Sequence, residues 1–209
     1  LSLTQIETRL RALYDLDGVH RVEDFVCDER VARQAAAAAV ERGEALLVLE
    51  EPDDVSIGLY LAPGALEVLA DDGDWLGAGR FESFCLVAEG VSHFLYLMFR
   101  LSHEHTVTQL ELEVQAEVDK YALGLLAGNG VGLLKERSRA LRQRLFCDVA
   151  YLDDPGTPEG DRYREATRAA SGYTAHLERR FVERGDMRAL AAELRRFYRR
   201  DRTDKLRFT

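Results

Sequence analysis

Glu82, Glu89, His93 and Arg100 stand seven, four and seven residues apart in an otherwise apolar stretch. At 100° per residue they fall within about 40° of each other on one helical face. A carboxylate and an imidazole one turn apart supply the oxygen and nitrogen donors of a helix-borne metal site, and equally the two halves of a buried ion pair. A second helix after a short connection offers the partners. With the turn near residue 104, Glu89 lies level with Lys120 and His93 with Glu117, while Glu113 sits one turn before Glu117. The candidate metal set is therefore Glu89, His93, Glu113 and Glu117, holding a divalent ion. No motif demands a cofactor. The Glu-x-x-x-His spacing is neither the Glu-x-x-His of di-iron bundles nor the His-Glu-x-x-His of zinc proteases, and Glu113 points away from the apolar face of its own helix. The plain alternative is two interhelical pairs, Glu89 with Lys120 and His93 with Glu117.

Other chemistry-bearing patterns carry less. His103 and His105 flank Glu104 in the connection and read as solvent-exposed. Gly128-Asn129-Gly130-Val131-Gly132 follows a helix, not a strand, and Lys135 has no hydroxyl residue behind it, so neither a phosphate loop nor a dinucleotide fingerprint is present. Asp71-Asp72-Gly73-Asp74 lacks calcium-loop spacing and reads as a turn. Arg184-Gly185-Asp186 is a helix stop followed by a cap. Cys27, Cys85 and Cys147 form no paired spacing, which excludes a zinc ribbon or disulfide scaffold and suits reduced thiols in the cytoplasm.

The elements that must position these residues are mostly helices. Leu3–Tyr14 repeats Leu3, Ile6, Leu10 and Leu13 on one face, and Arg30–Arg42 is an alanine-rich helix stopped by Gly43. Ala45–Glu50 and Val55–Leu61 are strands joined by Glu51-Pro52-Asp53-Asp54, a β-hairpin, with Val22–Val26 as a third extended segment. A short helix follows Pro63. The central pair comes next, its second helix opened by Thr108-Gln109-Leu110-Glu111, a capping box. Helices over Leu133–Ala150, Thr157–Phe181 and Met187–Arg199 complete the chain. The reading is α+β and predominantly helical: a small N-terminal β-hairpin packed on a bundle of about five to seven helices. An α+β region over 1–79 and a helical bundle over 80–209 form one compact domain. The apolar run Phe84–Phe99 is too short and too interrupted for a bilayer span and reads as a buried helix, so no membrane partner is expected.

With 46% hydrophobic and 31% charged residues the composition is that of an ordinary globular protein. Arginine outnumbers lysine 25 to 3, a bias expected of a GC-rich bacterial genome. The net charge of −9 is divided: residues 1–128 carry 9 basic and 24 acidic side chains, net −15, and residues 129–209 carry 19 and 13, net +6. Arg195, Arg196, Arg199, Arg200 and Arg202 form the densest basic run, interleaved with Phe197 and Tyr198. They suit an anionic partner, or docking onto the protein's own acidic half. No catalytic motif stands out. The function expected from these features is a non-enzymatic cytoplasmic interaction protein that binds a protein partner or a second copy of itself. The alternatives are a metal-dependent hydrolase or oxidoreductase on the Glu/His cluster, and nucleic-acid binding through the C-terminal arginines.

Overall fold

The computed structural model describes residues 1–51, 54–70, 77, 79–127 and 133–208. It is mostly helical, with a small antiparallel hairpin packed against the helices, as the sequence patterning predicts. The hairpin joins β1 (Glu44–Glu51) to β2 (Asp54–Leu61), in a register running from Glu44 opposite Leu61 to Glu51 opposite Asp54. The turn at Pro52-Asp53 lies outside the described residues, as do the acidic loop 71–74 and the glycine cluster 128–132. Because side chains alternate along a strand, Glu44, Leu46, Leu59 and Leu61 share one face. That face packs on α4 (Phe81–Ser102), and the other, with Ala45 and Tyr60, lies under α2 (Glu29–Arg42).

Helix α4 is the one described helix long and apolar enough to cross a membrane, yet Phe84, Val87, Val91, Phe94 and Tyr96 are fully enclosed within the protein. It pairs with α5 (Gln109–Leu126), which starts at the Thr108/Glu111 capping box. Helix α7 (Pro158–Arg180) covers the far side of α5. α1 (Leu3–Tyr14) and α8 (Met187–Tyr198) pack beside each other on the remaining flank. α3 (Pro63–Ala70), α6 (Leu134–Arg142) and α9 (Arg202–Lys205) complete the set. Arg184-Gly185-Asp186 ends one turn and caps α8.

Two elements differ from the sequence expectation. The segment expected to extend as a third strand is a 3₁₀ turn, Val22–Phe25, and only Val26 bridges to Leu59. The backbone N–H of Val22 is taken by the Glu7 carboxylate at 3.2 Å, which holds the chain on α1 instead of on the sheet. The helix expected over Leu133–Ala150 ends in a π turn, Gln143–Cys147, where the backbone N–H of Asp148 donates to the Gln143 carbonyl at 2.9 Å.

Gly90 and Gly172 are among the glycines that close approach requires. A β-carbon at Gly90 would stand 2.7 Å from Leu61 Cδ2 and 3.1 Å from Glu44 Cγ, so its absence lets β1 lie against α4. At Gly172 the place of a β-carbon is taken by the backbone of Phe208, which docks the C-terminal segment on α7.

On the α1 side, α5 carries a buried polar network. Asp119 accepts from Tyr14 Oη, from Gln115 Nε2 at 2.8 Å and from Ser92 Oγ at 2.6 Å, and Lys205 Nζ donates to Gln115 Oε1 at 2.6 Å. The Lys205 ammonium position lies 3.9 Å from the centre of the Tyr96 ring. Burial lifts the Asp119 carboxyl from 3.8 to about 6, against the pull of the hydrogen bonds from Ser92, Tyr14 and Gln115. A carboxyl raised in the folded state contributes most below its unfolded value, and that contribution is lost as pH rises through the folded one. The loss amounts to about 3 kcal/mol for a shift of this size. The stability difference between wild type and Asp119→Asn, from urea unfolding, should therefore change by about 3 kcal/mol between pH 3.5 and pH 7; a constant difference refutes the assignment. In a second variant, Gly90→Val should lower stability by about 1–3 kcal/mol through overpacking against Leu59 and Leu61, seen as a lower urea midpoint.

Candidate metal centre

Helix α4 sets Glu89 and His93 one turn apart on the face that meets β1 and α5. β1 brings Glu44, on the face it shares with Leu46, Leu59 and Leu61, against them. The ligand-capable atoms of Glu44, Glu89 and His93 all lie within 4.8 Å of one another. Nδ1 of His93 is 3.3 Å from Glu44 Oε1, a separation that serves a hydrogen bond and equally two ligands sharing an ion with bonds of about 2.0–2.1 Å. The cluster therefore offers ligand geometry for a divalent metal.

The far nitrogen, Nε2, lies 3.5 Å from Glu113 Oε2, an ion-pair contact without hydrogen-bond geometry. Glu113 is in turn 3.6 Å from Arg162 Nε on α7. A carboxylate behind the imidazole is the usual device for fixing the ring and its tautomer when the other nitrogen ligates. Next to the cluster, Lys120 Nζ donates to Glu89 Oε2 at 3.0 Å and to Glu117 Oε1 at 2.7 Å. Among the described residues, these four carboxylates lie within ion-pair distance of two permanent cations, Lys120 and Arg162, a surplus of two negative charges within these pairs when His93 is neutral. That is the charge of one divalent ion.

Charge and burial act in opposition here. Burial pushes the Glu89 carboxyl up, but Lys120 and then His93 outweigh it and hold the group below the ordinary value. Glu44 and Glu117 are raised, burial prevailing over His93 at the first and over Lys120 at the second. Burial alone would strip the proton from His93; Glu44 first, with Glu113, reverses this and raises its pKa well above 6.5. Lys120 likewise stays charged, its burial outweighed by Glu117 and Glu89. Burial pushes the nearby Cys85 thiol up to about 12, so it is no thiolate nucleophile.

Glu44 and Glu89 open onto a cavity of about 700 Å³. Its walls are Phe81, Leu86 and Leu145 on the apolar side, and Arg42 and Tyr163 on the polar side. The segment after the π turn lies along the same cavity and is tied down at Asp153, which accepts from Arg42 Nη2 at 2.9 Å through its side chain and from Arg164 Nη2 at 3.0 Å through its carbonyl.

Of the residues singled out in the sequence, Glu89 and His93 meet as expected and Glu89 takes Lys120. The pairing of His93 with Glu117 does not form. Lys120 draws Glu117 to itself, and His93 contacts Glu113 one turn earlier. Glu113 faces inward because α7 encloses that side of α5, which the apolar periodicity of α5 could not reveal. Glu44 was not among the expected residues, although strand alternation places it on the Leu46 face once β1 begins one residue earlier. The outer members of the stripe separate: Glu82 is exposed, while Arg100 is buried near Glu111 and donates to the Thr106 carbonyl at 3.0 Å. His103 and His105 are exposed, and neither joins a metal-capable group among the described residues.

The C-terminal arginines are largely engaged within the protein. Arg195 donates to the Leu13 carbonyl at 2.6 Å and Arg199 to that of Tyr14 at 3.0 Å, neutralising the C-terminal end of α1. Arg196 and Arg200 pair with Glu193, and Arg202 is exposed.

No model of a known family, no curated protein and no solved structure matches this chain.

A histidine whose folded-state pKa is raised contributes stability that is complete below the unfolded value of 6.5 and is lost as pH rises through the folded one. In chelator-treated protein, ¹⁵N NMR should show the His93 imidazole doubly protonated at pH 7.5, and this signal should vanish in His93→Gln. A neutral ring at that pH would contradict the charge balance described above.

Proposed function

We propose that this protein is a metal-dependent hydrolase whose ion is held by Glu44, Glu89 and His93 at the inner wall of the 700 Å³ cavity. The observation that carries the reading is the convergence of these three donors from two elements, with a carboxylate surplus equal to a divalent charge. Two carboxylates and one imidazole suit zinc, manganese or iron(II). Glu44, Glu89 and His93 would hold such an ion, which would supply Lewis acidity and an acidified water. Glu113 orients the imidazole through Nε2, and Arg162 steadies Glu113. Glu117, a further carboxylate on the cavity wall, would be the group to accept a proton from an attacking water. Phe81, Leu86 and Leu145 exclude bulk water and receive the apolar part of a small substrate.

A second reading, partner binding or self-association, draws on the hairpin end, where Val48, Leu49 and Val55 are 45%, 60% and 49% exposed. Three free cysteines suit the reducing cytoplasm.

Protein purified without chelator or histidine tag should carry about one equivalent of zinc, manganese or iron per chain by inductively coupled plasma mass spectrometry. Glu44→Gln and His93→Ala should lose it while keeping their helical circular dichroism. Because the ion displaces the His93 proton, calorimetry in buffers of different ionisation enthalpy should register about one proton released per ion bound. Metal-free wild type that takes up no ion at millimolar supply defeats the proposal.

A further inference from the structure

Lys120 is one of three lysines in the chain and is almost fully buried, yet its ammonium is not at a surface ion pair. It lies between Glu89 Oε2 at 3.0 Å and Glu117 Oε1 at 2.7 Å on the wall of the cavity. Glu89 is also a member of the metal-capable group, so a single carboxylate faces that group and the ammonium. The remaining oxygen, Glu117 Oε2, is shut away from solvent with no hydrogen-bond partner among the described residues. A bridging carboxylate with a second carboxylate beyond it is the donor arrangement of two-metal sites, in which the ions stand about 3.5–4 Å apart. Here the second cation is supplied by the protein.

We propose that Lys120 occupies the second cation position of a two-cation carboxylate centre and thereby fixes the metal stoichiometry at one. The inference rests on the metal reading given above. The ammonium contributes charge without coordination. It pairs with Glu89 and Glu117 and presents one fixed positive group to the cavity beside the metal. The substrate class that such a pair addresses carries two oxygens or develops an oxyanion on reaction, namely carboxylic or phosphoric esters. With the side chain shortened to an uncharged one, Glu89 and Glu117 face each other without a cation and admit a second ion.

The test is metal counting with manganese(II) alone. Wild type, Lys120→Arg and Lys120→Met are stripped, dialysed against excess Mn²⁺ and then against buffer, and read by mass spectrometry and electron paramagnetic resonance. The expected counts are one, one and two, with an exchange-coupled hyperfine pattern only in K120M. Should K120M not fold, Lys120→Gln, whose amide still donates to a carboxylate, is counted in its place and should also hold two. One ion in wild type and one or none in the folded neutral variants overturns this inference alone. Two ions in K120R overturns it as well, since charge would then not be the gate. No ion in wild type overturns the metal reading and this inference with it.

Discussion

The enclosure of α5 on every side is the constraint on which the rest of the structure depends. A helix with a solvent face leaves its polar residues to water; α5 has none to spare. Glu111, Glu113, Gln115, Asp119 and Lys120 are all buried, and each obliges another element to supply a partner. Arg100 answers Glu111, His93 and Arg162 answer Glu113, and Tyr14, Ser92 and Lys205 answer the Gln115–Asp119 pair. Buried charges of this kind contribute little net stability, because desolvation offsets most of the attraction. Their effect is on uniqueness: any packing that rotated α5 by a residue would strand several charges in an apolar interior.

The two sides of α5 divide the chemistry. On the α1 side Asp119, Gln115 and Lys205 are joined by hydrogen bonds, and burial drives the Lys205 amine well below its ordinary pKa, against the pull of Asp119. On the β1 side the balance is uneven, with carboxylates outnumbering cations beside a cavity. An uneven cluster is tolerated only where something mobile and positive can join it, whether proton or metal.

The framework was legible in the sequence because it rests on local rules. The capping box at Thr108, the Asp186 cap and the apolar stripes of α1 and α4 depend on residues within a few positions of one another. The hairpin followed from strict alternation in β2. The Glu89–Lys120 pair followed from helix pairing alone. What escaped depends on contacts distant in sequence. Glu113 reads as outward-facing in the sequence because α7, some fifty residues later, is not part of the periodicity of α5. Glu44 lies beyond the alternation legible in the sequence because it is the first residue of its strand, and strand ends are set by pairing rather than composition. The C-terminal arginines appeared as a free basic run because nothing local to them shows the carbonyls of α1, over 180 residues away, that they cap.

Those long connections bear on how the chain reaches its native state. Tyr14 to Asp119, Lys205 to Gln115 and Arg195 to Leu13 span 105, 90 and 182 residues. Contacts so distant demand that chain entropy be lost before they give anything in return, and high contact order slows folding. The hairpin and the α4–α5 pair, whose partners are close in sequence, can assemble first. The Asp119 side of α5 is covered by α1 and α9, which reach it from opposite ends of the sequence. The buried network around Asp119 is thus closed by two segments that lie far from each other in the sequence.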